Sequence, residues 1–254
     1  MTDQHEPRVA VVTGGGSGIG RAIARRLAAD GLTVAIVDLN AAAAEAVAEE
    51  LHAEGHAAAA FGDVDVSDRA LVNAAIERVR TELGPPLVLV NNAGLQGFDK
   101  FLSITDETWD RIMAINLNGP FYLCQAVLPD MIEAGWGRIV NISSSSAQGG
   151  QPFMTHYVSS KAGLIGLTKA LALEFGPKGI TVNTIPPGFI DTPMLRDSES
   201  KGLLGGKVED HETRTPVRRI GTPDDIANAC SFLVDERSGY ITGQVIGVNG
   251  GRNT

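Results

Sequence analysis

A phenol and an ammonium stand four residues apart in HYVSSKAG, residues 156–163: Tyr157 and Lys161. At that spacing two side chains share one helix face, and an ammonium beside a phenol favours the phenolate, giving an acid or base usable near neutral pH. A surface pair on an amphipathic helix accounts for the same two residues, so their neighbours must decide. A second group with chemical reach is the glycine-rich TGGGSGIG, residues 13–20, between an apolar run and a helical stretch. Glycines there allow a tight turn and let the backbone approach a pyrophosphate at the positive end of a helix. Gly14, Gly18 and Gly20 do not keep the G-x-G-x-x-G spacing, so the loop alone is equally consistent with a structural turn. Asp38 ends the next apolar run, 18 residues after Gly20, close to where an acid that binds the adenosine ribose is expected. Its carboxylate would accept from free ribose hydroxyls and repel a 2′-phosphate. No Lys or Arg lies in the glycine loop or directly after Asp38 to pair with such a phosphate. These residues predict NAD(H) rather than NADP(H). Capping the next helix is a second role open to Asp38.

Chemistry at these positions needs a frame to bring them together. Strand-like runs alternate with helical stretches: RVAVVT (8–13) and IGRAIARRLAAD (19–30), LTVAIVD (32–38) and AAAAEAVAEELHAEG (41–55), AAAAFGDVD (57–65) and SDRALVNAAIERVRTELG (67–84). Residues 57–65 are alanine-rich enough for helix, but their place in the alternation predicts strand. Ser67 is the expected cap of the helix that follows. The pattern continues with LVLVNNAG (87–94), a helical region near 105–134, GRIVNISS (137–144), a helix near 155–175, ITVNTI (180–185), a helix at 223–236 and a last strand, GQVIGV (243–248). Continuous apolar strands separated by helices predict an α/β fold of Rossmann type, a doubly wound parallel sheet with helices on both faces. With no internal repeat or linker, residues 1–254 read as a single dinucleotide-binding and catalytic domain. Residues 191–222 are the exception, polar and poorly periodic, and are expected to form a mobile substrate flap.

Composition narrows the partners. The 254 residues are 43% hydrophobic and 20% charged, with a net charge of −9. No basic footprint for nucleic acid is present. Cys124 and Cys230 match no metal spacing and are expected to be reduced structural thiols, so no metal site is predicted. The N-terminal MTDQHEPR is too polar for a signal peptide and no apolar run reaches membrane-spanning length, which predicts a cytoplasmic protein without membrane contact.

The motifs, taken in order, resemble the short-chain dehydrogenase/reductase family over essentially the whole chain, and its bacterial 3-oxoacyl-thioester reductases in particular. They are TGGGSGIG at 13–20, DVSD at 65–68, NNAG at 91–94, Asn116 in INLNG, NISS at 141–144, YVSSK at 157–161 and PPGFIDTPM at 186–194. The resemblance implies that Tyr157 is the acid/base, that Lys161 lowers its pKa and bonds the nicotinamide ribose, and that Ser144 polarises the substrate oxygen. Ser144 lies 13 residues before Tyr157; Ser143, Ser145 and Ser146 leave room for an error of one position. Asn116 would hold a water linking Lys161 to solvent. The cofactor contacts implied are Gly14, Ser17, Gly18, Ile19 and Gly20 in the glycine loop, Asp38 at the ribose, and Asp65 and Val66 at adenine. Asn92, Ala93 and Gly94 would run along the cofactor, and Pro187, Gly188, Ile190 and Thr192 past the nicotinamide. Pro186, a second proline before the usual Pro-Gly, departs from the family pattern and stiffens the approach to the flap.

The expected activity is therefore that of an NAD(H)-dependent oxidoreductase interconverting a secondary alcohol and a ketone. Leu95, Gln96, Phe98, Ser146, Gln148, Gln151 and Met154 are expected to line the substrate pocket with the flap. A 3-hydroxyacyl or 3-oxoacyl thioester, such as a CoA ester, or a cyclic alcohol suits that lining. Asp38 departs from the NADPH preference of fatty-acid-synthesis members, which favours oxidation with NAD⁺. A catalytically silent dinucleotide sensor or scaffold would sit better with a lost tyrosine or lysine. A redox-neutral epimerase or dehydratase resembles a longer branch. Family members imply a homotetramer, and Gly163 and Gly166 would let another helix pack closely. Trp109 reads as core packing, His156 as pointing away from its neighbour Tyr157, and His52, His56 and His211 as solvated surface.

Overall fold

The structure, a computed structural model, describes residues 8–253; the polar N-terminal segment read above lies, apart from Arg8, outside the described residues. The expected alternation is present: β1 (Val9–Thr13), α1 (Gly18–Ala29), β2 (Thr33–Val37), α2 (Ala41–Ala53), β3 (Ala58–Phe61), α3 (Arg69–Glu82) and β4 (Pro86–Asn91). Then come α4 (Asp106–Met113), α5 (Gly119–Ala134), β5 (Gly137–Ile142), the single turn α6 (Ser146–Gly149), α7 (Thr155–Phe175), β6 (Ile180–Ile185), α8 (Pro193–Ser200) and α9 (Pro223–Val234). The strands form one parallel sheet in the order β3-β2-β1-β4-β5-β6. The order reverses between β1 and β4, which opens a crevice at their carboxyl ends.

Both sheet faces are covered because side chains alternate along each strand. Ala10 and Val12 of β1 face a core shared with Ile23, Leu27, Leu51 and Leu233, whereas Val9 and Val11 face Ile76, Val79, Leu123 and Met131. β3 forms despite its alanines because Val34–Val37 of β2 supply a parallel partner, residue for residue from Ala58 to Phe61.

The chain departs from the sequence reading at several points. α3 is capped by Asp68, whose carboxylate accepts from the amides of Ala70 and Leu71, while Ser67 turns back to Asp65. The helical region near 105–134 is two helices joined by a π-helical turn, Ala114–Asn118. Residues 243–248 run beside β6 but make only isolated bridges, at Thr184–Val245 and Pro187–Val248. Pro186 and Pro187 carry no amide hydrogen, so a continuous ladder cannot form past Ile185. The 191–222 segment is less irregular than expected, since Thr192 caps α8 by accepting from the Leu195 amide and a 3₁₀ turn spans Val208–His211. Trp109 is half-exposed rather than core. His211 is buried, not solvated, its ring stacked on Phe189 with centroids 4.0 Å apart. Gly163 does admit a close neighbour, but from the same chain: a Cβ there would lie 2.9 Å from Leu117. Cys124 and Cys230 are buried and free, and burial pushes the Cys124 thiol up to about 12.

Candidate active site

A cleft of about 430 Å³ lies at the carboxyl ends of the strands, over the point where the strand order reverses. At one end the chain leaves β1 into the glycine loop, with Gly14 at φ +62 and Gly18 at φ +49, a region that disfavours a Cβ. α1 is pressed onto this loop, so that a Cβ on Gly20 would lie 2.0 Å from the Gly14 carbonyl oxygen. Ser17, the N-cap of α1, makes no side-chain capping bond, and the first turn carries no acidic residue. The first amides of α1 thus keep their capacity to bind an anion.

Asp38 stands at the mouth, half-buried, its carboxylate accepting from the amides of Gly16 and Asn40, both at 2.9 Å. It does not cap α2; Asn40 does, by accepting from the Ala43 amide. The NNAG loop is stitched to the glycine loop: Asn92 Nδ2 donates to the Thr13 and Gly14 carbonyls at 2.9 and 3.2 Å. Thr13 Oγ1 accepts from the amides of Asn92 and Ala93, both at 3.1 Å. Between these walls lies Asp65. Burial alone would raise its pKa, but bonds from the Ser67 hydroxyl and amide and the nearby Arg111 guanidinium outweigh that and hold the carboxyl below its usual range.

At the other end Ser144, in the loop just beyond β5, and Tyr157 and Lys161, one turn apart on α7, converge on the cleft. Lys161 is buried and donates from Nζ to the Ile142 carbonyl at 2.9 Å; burial pulls its pKa down to about 8. Burial raises the Tyr157 phenol above its ordinary value, with the Ser144 hydroxyl pulling the other way. The Lys161 ammonium sits 5.9 Å from the phenol ring centre and is directed at a carbonyl, and burial is the larger influence on the phenol. Ser143 and Ser144 both line the cleft, but the buried Ser143 commits its hydroxyl to the Lys161 carbonyl at 2.9 Å, whereas the half-buried Ser144 shares its hydroxyl with Ser146, at 2.9 Å.

Most of the sequence-derived residues meet here: Gly14, Ser17, Gly18, Ile19, Asp38, Asp65, Val66, Asn92, Ala93, Gly94, Gln96, Ser144, Tyr157, Lys161, Pro187, Gly188, Ile190 and Thr192 all line the cleft. Gly20, Asn116, Ser146, Gln151 and Met154 are not part of its lining. Gly20 acts on the cleft through helix packing. Asn116, held in the π-helical turn, is fully buried; its Oδ1 accepts from the Leu95 amide and its Nδ2 donates to the Leu95 carbonyl and Ser160. With both amide hydrogens engaged, that side chain ties the loop after β4 to α7 and offers a water only an acceptor oxygen. Gln151 is exposed and Met154 buried away from the cleft, because the turn before α7 carries them past it. Gln96 donates to Ser198 of α8 at 2.7 Å, joining the 191–222 segment to the loop after β4.

The sequence reading missed Leu39, Arg111, Ile142, Met194 and Leu195, which also line the cleft. Leu39 adjoins Asp38 and was within reach of the motif. Arg111, on α4, is brought to 3.6 Å from Asp65 by tertiary packing that no local spacing encodes.

Residues 14–253 match the family model described as Enoyl-(Acyl carrier protein) reductase. A 3-oxoacyl-(acyl-carrier-protein) reductase of Chlamydia muridarum is 41% identical over 244 residues, 96% of each chain. The chain belongs to the short-chain dehydrogenase/reductase family. Other similar members are a (3R)-3-hydroxyacyl-CoA dehydrogenase of Canis lupus familiaris, 43% identical over 96% of this chain and 95% of that one, and a hydroxy(phenyl)methylsuccinyl-CoA dehydrogenase subunit of Thauera aromatica, 41% identical over 97% and 96%. This short-chain dehydrogenase/reductase is thus an enzyme of hydroxyl and keto groups, from a family that binds nicotinamide dinucleotides. Its cleft fits such a group: Gly14 and Gly18, both at positive φ, line one end, and at the other a Cβ on Gly94 would stand 3.2 Å from Lys161 Nζ.

Proposed function

We propose that the protein is an NAD(H)-dependent oxidoreductase that interconverts a secondary alcohol and a ketone, acting on a 3-hydroxyacyl or 3-oxoacyl thioester. The observation that carries this is one continuous cleft with Asp38 at one end and Ser144, Tyr157 and Lys161 at the other. The glycine loop and the first turn of α1 would hold the pyrophosphate, Asp38 the adenosine ribose, and Gly94, Pro187, Gly188 and Thr192 the nicotinamide half. When bound, the dinucleotide supplies or accepts the hydride. In reduction Tyr157 would give its proton to the substrate oxygen, and Ser144 would donate a hydrogen bond to the same oxygen. Two donors aimed at an atom that gains negative charge stabilise the transition state. A phenol raised by burial stays protonated at neutral pH and is ready to give that proton; the alcohol returns it in the reverse direction. Lys161 adds positive charge behind the phenol and a donor for the nicotinamide ribose.

Among the described residues the cations lining the cleft are Lys161 and Arg111; Arg111 faces Asp65, and neither pairs with Asp38, which would have to meet a 2′-phosphate unaided. That supports NAD(H). Leu95, Met194 and Leu195 give the substrate end an apolar lining, and relatives named for acyl thioesters support a thioester over a cyclic alcohol. In a homotetramer, the open space at Gly166 and the exposed Leu173 of α7 and Phe121 of α5 would be covered by another subunit.

Oxidation of NADH and NADPH with acetoacetyl-CoA as acceptor tests the reading, with Tyr157→Phe as control. Faster turnover with NADH, reduced about 1,000-fold or more in the variant, is expected from loss of the acid. Equal or faster use of NADPH would overturn the cofactor assignment, and inertness toward the thioester with both would overturn the substrate class.

A further inference from the structure

α7 starts without a capping side chain, because its N-cap is Met154, which makes no cap bond. The first amides of a helix need acceptors from elsewhere. The Tyr157 amide finds one in the preceding side chain, donating to His156 Nδ1 at 2.9 Å. A ring nitrogen that accepts carries no proton, so in the neutral imidazole the hydrogen sits on Nε2. Nε2 in turn donates to Asp99 Oδ2 at 3.2 Å. His156 is fully buried, and Gly97 backs against it so closely that a Cβ there would lie 2.7 Å from Nε2.

Asp99 grips the same region a second time. Its amide donates to the Phe153 carbonyl at 2.7 Å, and Phe153 stands at φ +66, a strained conformation for a bulky side chain. The loop after β4 and the loop before α7 are therefore joined twice within four residues of Tyr157, once through backbone and once through the imidazole. His156 is not part of the cleft lining.

We propose that His156 and Asp99 form a positioning pair that sets the angle at which Tyr157 meets Ser144. His156 caps the first turn of α7 at the amide of Tyr157 itself, and Asp99 holds the imidazole in the tautomer that can do so. This rests on the acid/base role given to Tyr157 above. Without the pair the first turn frays, Phe153 relaxes toward negative φ, and the phenol loses its aim, while the glycine loop and Asp38, which His156 does not touch, stay in place.

Kinetics of three variants separate positioning from bulk stability. His156→Ala is expected to lower kcat about 10- to 100-fold, the usual loss for a small misplacement of a reacting group, with the KM for NADH unchanged. His156→Asn, whose Oδ1 can still accept from the Tyr157 amide, is expected to recover most of that loss. Asp99→Ala, at a side chain 43% exposed, is expected to fold normally and fall between the two. A His156→Ala enzyme with wild-type kcat would overturn the pair. So would equal loss of kcat, NADH affinity and thermal stability in His156→Ala and His156→Asn, which marks a structural residue only. The nitrogen-15 signals of the histidine ring at mildly alkaline pH read the pair without turnover: a bare Nδ1 and protonated Nε2 are expected for the signal that His156→Asn removes, and a protonated Nδ1 overturns it. Inactive wild-type protein would remove the proposed function and leave this measurement standing.

Discussion

At the Asp38 end of the cleft the contacts are made largely by backbone: glycine turns at positive φ, carbonyls held by Asn92, and amides gathered on the Asp38 carboxylate. At the Tyr157 end they are made by side chains, with the buried Lys161 shifted down and the half-buried Tyr157 shifted up by desolvation. On the proposed function the first end would recognise shape and charge, largely with groups that do not titrate apart from the carboxylates. The second would do the chemistry and hold a proton where burial makes charge expensive. Binding and proton transfer are thus assigned to opposite ends of one cleft, and substitutions should separate them.

Asp38→Ala offers the largest effect at the binding end. The ratio of kcat/KM with NADH to that with NADPH is expected to fall about 10-fold or more, since a charged acceptor on the ribose is lost together with its repulsion of a 2′-phosphate. Unchanged discrimination would remove Asp38 from the ribose site. Gly20→Ala tests whether that end is held by close packing. With a Cβ placed 2.0 Å from the Gly14 oxygen, the loop must move, and overpacking is expected to cost about 1–3 kcal/mol in chemical denaturation along with weaker NADH binding. Wild-type stability and affinity would show that the loop is looser than it stands.

The pH dependence of stability probes the opposite end. Burial pulls Lys161 down to about 8 from its ordinary 10.5. Between those values the unfolded chain binds more protons, so this group makes stability rise with pH across that window, and below about 8 its penalty is fully present. Denaturation midpoints between pH 8 and 10 should show the rise in wild type and a flatter profile in Lys161→Met; identical profiles would place the ammonium in water. The smallest effect is expected at the flap. Gln96→Ala removes the 2.7 Å bond to Ser198 and should raise the substrate KM about 2- to 5-fold, the worth of one neutral hydrogen bond, without changing the KM for NADH. A change in the cofactor KM alone would place the latch at the wrong end.

The same division governs what could be read from the chain. The glycine loop and Asp38 follow from strand-loop-helix order, and they line the cleft where that order put them, as does the NNAG turn that the family resemblance assigned. Tyr157 and Lys161 stand one helical turn apart, but it took the ordered motifs around them to mark the pair as more than a surface pair. Beyond these, the substrate end depends on contacts between distant segments. Gln151 and Met154 lie outside the cleft lining, since nothing local reveals how the turn before α7 is aimed and the positive φ of Phe153 leaves no sequence signature. Arg111 comes to Asp65 only through the packing of α4 against the cleft wall. His156 was read as a bystander because adjacent helical positions diverge. Its contact is with the amide of Tyr157, not the phenol, and a side chain capping its own helix from within the first turn is invisible to periodicity.

Titration of NADH into the wild-type, Tyr157→Phe and Asp38→Ala proteins by calorimetry tests most directly whether binding and chemistry occupy separate ends. The account predicts equal NADH affinity for wild type and Tyr157→Phe, and weaker binding to Asp38→Ala. Loss of NADH binding in Tyr157→Phe, or full affinity in Asp38→Ala, would contradict it.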